Sequence, residues 1–168
     1  MSDSISQLGA VAQPCRTPFQ APPVLQAALS EVASELTFGS GQQLFTANAP
    51  ARGIYLVRSG AVRAYLASGD GREVVNRVLG PGALLGVPAA MCAKSYQFTG
   101  EAVTETRVGF VAISTFNEFL RTRPDLCMQV VAMMSDELVE LRHTRDHMVN
   151  CTHTDCSLHA CCTCCGSR

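Results

Sequence analysis

No histidine occurs in the first 142 residues of this 168-residue chain. Catalytic arrangements of the Ser/His/Asp or Cys/His kind therefore have no base to draw on across most of the chain. A phosphate-cradling glycine loop and a paired-carboxylate motif are missing too, which leaves enzymatic chemistry without support. Charge of one sign is also lacking. Lys and Arg number 13 against 14 Asp and Glu, a net charge of −1, so no global basic field draws in nucleic acid. No apolar run approaches the ~20 residues of a membrane span. The opening residues, MSDSISQLGAVAQPCRTPFQ, show no charged-then-apolar signal pattern. Together these absences point to a cytoplasmic protein without a membrane segment. Cysteine is sparse up to residue 150, with Cys15, Cys92 and Cys127 scattered, and then dense: Cys151, Cys156, Cys161, Cys162, Cys164 and Cys165 fall in the last 18 residues. That distribution is a feature of the tail and not a disulfide framework for the whole.

What is present is a series of short apolar segments separated by glycines. Hydrophobic residues make up 47% of the chain, enough to build a core. Gly53–Arg58 (GIYLVR) is rich in β-branched and aromatic residues, and Ser59-Gly60 interrupts it at a place suited to a tight hairpin. Ala61–Ala67 alternates, with Val62, Ala64 and Leu66 on one face and Arg63 and Tyr65 on the other. Gly69-Asp70-Gly71 marks a second hairpin, Glu73–Leu79 another strand, and Gly80-Pro81-Gly82 another turn. Glu35–Phe38 and Gln42–Phe45 read as the first two strands, and Tyr96–Val103 and Thr106–Val111 as the last. Strands of this length and spacing specify an antiparallel sandwich or barrel. A short helix is expected after Pro22-Pro23, a single helical turn over Val87–Met91, and a helix through Phe116, Phe119 and Leu120 opened by a Thr115/Glu118 capping box.

The order "strand, SG, strand, GDG, strand, GPGALLG" across Gly53–Gly86 resembles the β-roll of the cyclic-nucleotide-binding-like domain. It is most similar to the sensor domain of Crp/Fnr transcription regulators, over roughly residues 25 to 150. The resemblance implies a mainly β fold with flanking helices: a double-stranded β-helix, or jelly-roll, followed by a long C-terminal dimerisation helix. The expected division is an N-terminal arm over 1–21, the β-roll domain over 22–123, the helix over 124–150 and a Cys/His-rich tail over 151–168. Jelly-roll metalloenzymes place histidines inside the barrel, and this barrel has none. Some family members hold an iron–sulfur cluster with closely spaced N-terminal cysteines; this arm has Cys15 alone.

Pro124 suits the first position of a helix and Asp125 complements its dipole. No glycine or proline follows until the tail, and Cys127, Val131, Met134, Leu138, Leu141, Arg145 and Met148 recur at alternating spacings of four and three. This is a heptad seam interrupted only by Arg145. In the family the resemblance names, the helix at this place forms a parallel coiled coil between two subunits. The expected partner is a second copy, or a full-length Crp/Fnr relative in a heterodimer. The bland alternative is a helix packed only on its own domain.

Cyclic-nucleotide-binding members of the family hold the ribose with a Gly-Glu pair and the phosphate with an Arg-Ser or Arg-Thr pair. Matched to this chain, the first pair is Gly86-Val87 and the second Phe98-Thr99. Both ionic groups are missing, and a buried anion needs a fixed cation and donors. The resemblance therefore argues against a cyclic nucleotide. It leaves an effector pocket at Leu84, Leu85, Gly86, Val87, Lys94, Phe98 and Thr99, either filled by side chains or suited to a less polar ligand.

A complete Crp/Fnr regulator continues into a helix-turn-helix domain. Here the residues after Asn150, CTHTDCSLHACCTCCGSR, show no apolar periodicity, so direct sequence-specific DNA binding is not expected. The tail has ligand chemistry instead. Cys151, His153, Cys156, His159, Cys161, Cys162, Cys164 and Cys165 are soft or borderline donors, with His143 and His147 on the preceding helix. Two to four residues between ligands suits zinc or thiolate-bound copper(I), and a coreless tail can fold around a metal. The competing readings are a disordered tail with oxidisable thiols, and an arbitrary reading frame in a truncated product. Two functions thus stand side by side: a regulatory effector-sensing domain, and a metal-binding or redox-responsive protein acting through its tail.

Overall fold

The structure, a computed structural model, describes residues 19–67 and 73–150; at 67, 73–76 and 139–150 it describes the backbone alone. The chain runs α1 (Pro23–Val32), β1 (Ser34–Phe38), β2 (Gln43–Phe45), β3 (Gly53–Ser59), β4 (Val62–Ala67), β5 (Glu73–Leu79), β6 (Leu84–Leu85), α2 (Val87–Met91), β7 (Thr99–Ala102), β8 (Thr106–Ala112), α3 (Ile113–Thr122) and α4 (Pro124–Asn150). The strands form two four-stranded antiparallel sheets, ordered β1-β8-β3-β6 and β2-β7-β4-β5. This is the mainly β jelly-roll with flanking helices and a long C-terminal helix that the family resemblance implies.

β3 sits inside the first sheet and carries both cores. Ile54 and Leu56 face the helices and join Leu25, Leu29, Leu84, Val87, Val111, Phe116, Leu126, Val130 and Met133. Tyr55 and Val57 point the other way, into the roll, among Leu44, Phe45, Val62, Leu79, Leu85, Tyr96 and Val108. Burial on both faces explains why β3 reads as a continuous apolar run instead of alternating. β4 lies in the second sheet and does alternate at its start, with Val62 and Ala64 buried. Leu66, expected on the same face, is 37% exposed; it is the last residue paired in register with β5 before the shift between Leu66 and Ala67.

The hairpin expected at Ser59-Gly60 is instead a corner between the two sheets. β3 pairs with β6 and β8, and β4 with β5 and β7. Gly60 does take a positive φ, 86°, and a Cβ there would lie 2.4 Å from the Glu105 carbonyl oxygen. The buried Thr106 hydroxyl staples the corner, accepting from Ala61 N at 3.2 Å and lying 3.1 Å from Ala61 O. Gly80-Pro81-Gly82 likewise carries the chain from β5 in one sheet to β6 in the other. The pairing of β4 with β5 is that of a hairpin, whereas its Gly69-Asp70-Gly71 loop lies outside the described residues.

Two further expectations are corrected. The strand expected over Tyr96–Val103 begins only at Thr99, because Tyr96 turns inward and its hydroxyl is held by Gly53. The Thr115/Glu118 capping box does not form: α3 starts at Ile113, directly off the end of β8, with no side-chain cap. Among the described residues no helix is long and apolar enough to cross a membrane.

Candidate functional site

The interior of the roll is filled by aromatic rings. Phe45 lies 4.3 Å from Tyr96, 5.2 Å from Tyr55 and 5.4 Å from Phe98, centroid to centroid, and Tyr55 is 5.1 Å from Phe110. Such pairs gain beyond simple area burial. They also need their hydroxyls satisfied. Tyr96 donates to Gly53 O at 2.8 Å and accepts from Arg52 N and Gly53 N, while Tyr55 donates to Leu44 O at 3.2 Å. Burial, with the Tyr96 hydroxyl beside it, pushes the Tyr55 phenol well above its ordinary range.

The residues expected to line an effector pocket fall into three places. Leu84 and Val87 are buried on the helix side of the first sheet, and Leu85 is buried inside the roll. Gly86, at φ 83°, caps α2 so closely that a Cβ would meet Tyr96 at 3.0 Å and Gly53 O at 3.1 Å. Phe98 is half-buried, and Thr99 is buried with its hydroxyl accepting from Ala47 N at 3.0 Å. Lys94 is exposed and stands apart from the other six. It lines an open cleft of ≈ 590 Å³ with Asn48, Ser95, Tyr96, Gln97 and Ile113.

The long helix α4 presents two adjacent stripes. Leu126, Val130, Met133 and Glu137 face the roll, spaced four, three and four, and all are buried. The stripe expected from the sequence runs one position later, ~100° around the helix. Of that stripe, Cys127 and Met134 are half-buried, while Val131 is 42% and Leu138 is 62% exposed. The side chains of Leu141 and Met148 lie outside those described, as does the entire Cys151–Cys165 donor set with His153 and His159. Among the described residues no three His, Cys, Asp or Glu side chains cluster as metal ligands.

Sequence reasoning missed a polar cluster at the end of the inner stripe. Glu137 is only 8% exposed. One of its carboxylate oxygens accepts from the backbone N–H of Phe19, and the other meets Arg77 of β5 at 3.4 Å. A buried carboxylate is retained where cations and donors surround it. The cluster ties together the described start of the chain, the second sheet and the long helix. The only advance signal was an acidic residue at a seam position one step out of the chosen register.

The architecture is a jelly-roll of two antiparallel four-stranded sheets, closed by helices and followed by a long helix laid along it. Residues 35–123 match the family model for the cyclic nucleotide-binding domain, and the chain belongs to that family. Its relatives include Crp/Fnr-type regulators. It is 28% identical over 105 residues to the regulatory protein HlyX of Actinobacillus pleuropneumoniae, covering 62% of this chain and 40% of that one. It is 23% identical over 129 residues to the CRP-like cAMP-activated global transcriptional regulator of Mycobacterium tuberculosis, covering 77% of this chain and 56% of that one. Its fold matches the catabolite activator protein of Thermus thermophilus with a TM-score of 0.68 at 21% identity, over 76% of this chain and 60% of that one. The chain thus spans about half the length of the relatives it matches.

Proposed function

We propose that this chain is a dimeric regulatory module of the Crp/Fnr type. An effector enters between the β-roll and α4, and α4 passes the event to a partner subunit. The observation that carries this reading is the pair of adjacent stripes on α4. The inner stripe is packed on the chain's own core, and the outer one leaves Val131 and Leu138 exposed. An apolar stripe beside a buried seam suits a second helix, supplied by another copy or by a full-length relative. A helix shared between a pocket and a dimer seam can switch between two packings. The role is regulatory and not catalytic.

The effector is not a cyclic nucleotide in this reading. The Mycobacterium tuberculosis relative is named for cAMP activation. In this chain apolar Val87 and Phe98 stand where the resemblance calls for a glutamate and an arginine, so neither ionic contact can form. Titration with cAMP and cGMP should give no stoichiometric heat; saturable micromolar binding overturns this part.

Sedimentation of the reduced full chain tests the dimer. The wild type should sediment as a dimer, and Val131→Glu/Leu138→Glu as a folded monomer. A monomeric wild type sinks the proposal. A second reading rests on the eight Cys and His donors packed into residues 151–165. If zinc or copper(I) binds stoichiometrically and is lost when the six tail cysteines become serine, the tail is a metal site in its own right.

A further inference from the structure

We propose that the cleft holding Lys94 is a binding site for a small polyhydroxy carboxylate of the sugar-acid class. Among the described residues none from α4 lines it. The site is complete within one chain, so it stands whichever way the dimer test falls.

Two loops wall the cleft. The one between β2 and β3 brings Asn48 and Pro50, and the one between α2 and β7 brings Lys94, Ser95 and Gln97. The loops are zipped together along the backbone. Asn48 N donates to Tyr96 O at 2.8 Å, Tyr96 N donates to Ala49 O at 3.0 Å, and Pro50 bridges Ser95 in antiparallel fashion. Lys94 N donates to Ala89 O at 3.0 Å, which fixes the second loop to α2. Of the three non-glycine residues with positive φ among those described, two line this cleft: Asn48 at 66° and Ala93 at 50°. A left-handed alanine is held so only by its surroundings, and such outliers gather at ligand clamps. Walls fixed in advance lower the ordering cost of binding.

The lining selects the ligand. Among the described residues the side chains of Asn48, Lys94, Ser95 and Gln97 have no hydrogen-bond or ion-pair partner, and no acidic residue lines the cleft. The Lys94 ammonium is thus an uncompensated point charge, which suits one carboxylate better than a polyanion. The two amides and the hydroxyl both donate and accept, as sugar hydroxyls do. Pro50 and Ile113 add apolar surface for the C–H face of the ligand. An aromatic ligand finds no free ring to stack on. Tyr96, the aromatic residue of the lining, is 3% exposed, its ring stacks on Phe45 and its hydroxyl is held by Gly53. The volume, ≈ 590 Å³, is that of an ordinary small-molecule site.

Amide chemical-shift titration of the full chain with sodium D-glucuronate tests the site. The Asn48, Ser95 and Gln97 amides should shift saturably, while those of Ile54 and Val130 in the core stay in place. D-Glucose, with a hydroxymethyl group in place of the carboxylate, and acetate, which lacks the hydroxyls, should each bind at least tenfold more weakly. Lys94→Gln should weaken glucuronate binding by the same factor. Arg58→Gln is the control. Arg58 is another exposed cation without a partner among the described residues, in a separate cleft with Gln26 and Ser30, and its loss should leave glucuronate binding unchanged. Absence of a saturable shift overturns the site. So does unchanged affinity in Lys94→Gln, or equal weakening by Arg58→Gln, which would mark general charge attraction. Glucose binding as tightly as glucuronate overturns the carboxylate, and acetate doing so overturns the hydroxyl contacts.

Discussion

Gly53 shows at the scale of one residue how tightly β3 is set against β8. A Cβ there would lie 2.2 Å from the carbonyl oxygen of Val111 and 2.6 Å from the Phe110 ring. The first neighbour is backbone in a paired strand and cannot move aside. Gly53→Ala should therefore lower unfolding stability by about 2–3 kcal/mol, the upper range for forced overpacking. Gly80, with nothing within 4 Å of its Cβ position, is the control, and Gly80→Ala should stay within about 0.5 kcal/mol of wild type. Urea midpoints at unchanged slope measure both. Equal losses at the two positions would mean that contact with Val111 and Phe110 does not set the cost, since the chain-entropy effect of Gly→Ala is stabilising. Tyr55 makes a second residue-scale prediction. Its folded pKa is raised, chiefly by burial, above the ordinary value of 10.0. Below that value the phenol is neutral in both states and contributes nothing to pH dependence. Above it the unfolded chain loses the proton first, so stability should fall by about 1.4 kcal/mol per pH unit. In Tyr55→Phe this share of the alkaline slope should disappear while the neutral-pH stability drops, because Leu44 O loses its donor. An unchanged alkaline slope in the variant would show that Tyr55 is not its source.

Among the elements, α4 shows most clearly what the sequence could and could not reveal. Its start at Pro124, its first-turn Asp125 and its uninterrupted length were legible, because caps and breakers act locally. Its face was not. Two four-three stripes lie one residue apart, 126/130/133/137 and 127/131/134/138, and a helical period cannot say which of them meets the chain's own core. The inner stripe also contains an acidic residue, Glu137, at a buried position. It is buried because Phe19 N–H and Arg77, distant in sequence, supply its partners. The same reason hid the candidate site. Leu84, Leu85 and Val87 were recognisable as apolar, but the backbone that pairs with Leu84 N comes from residue 19. The corners were misread likewise: Gly60 showed where the chain turns but not that it leaves one sheet for the other. The two stripes predict different responses. Leu126→Ala should cost about 2–4 kcal/mol at any protein concentration, as a buried leucine does. Leu138→Ala should cost nothing at high dilution and lower stability only where the dimer is populated, because partner burial enters through mass action. A concentration-independent loss at Leu138 would place it in the chain's own core and remove the outer seam.

For the whole molecule, β3 decides how the fold comes apart. Ile54 and Leu56 belong to the core under the helices, and Tyr55 and Val57 to the core within the roll. The two cores therefore share one strand, and neither can lose its packing without disturbing the other. Leu84 and Leu85 repeat the arrangement on β6, one residue facing each core. The aromatic cluster reports on the roll through Tyr55 and Tyr96, and α4 dominates the helical signal. If the shared strands couple the cores, the near-ultraviolet tyrosine signal and the far-ultraviolet helical signal should follow one denaturant transition with one midpoint. Leu126→Ala, which touches only the helix-side core, should then shift the tyrosine-detected midpoint as far as the helix-detected one. Earlier loss of the helical signal, with the tyrosine signal intact, would show that α4 peels from a roll that stands alone. In that case the helix could be repositioned without cost to the sheets, and coupling between pocket and partner would have to run through the Glu137 contacts instead of the shared core.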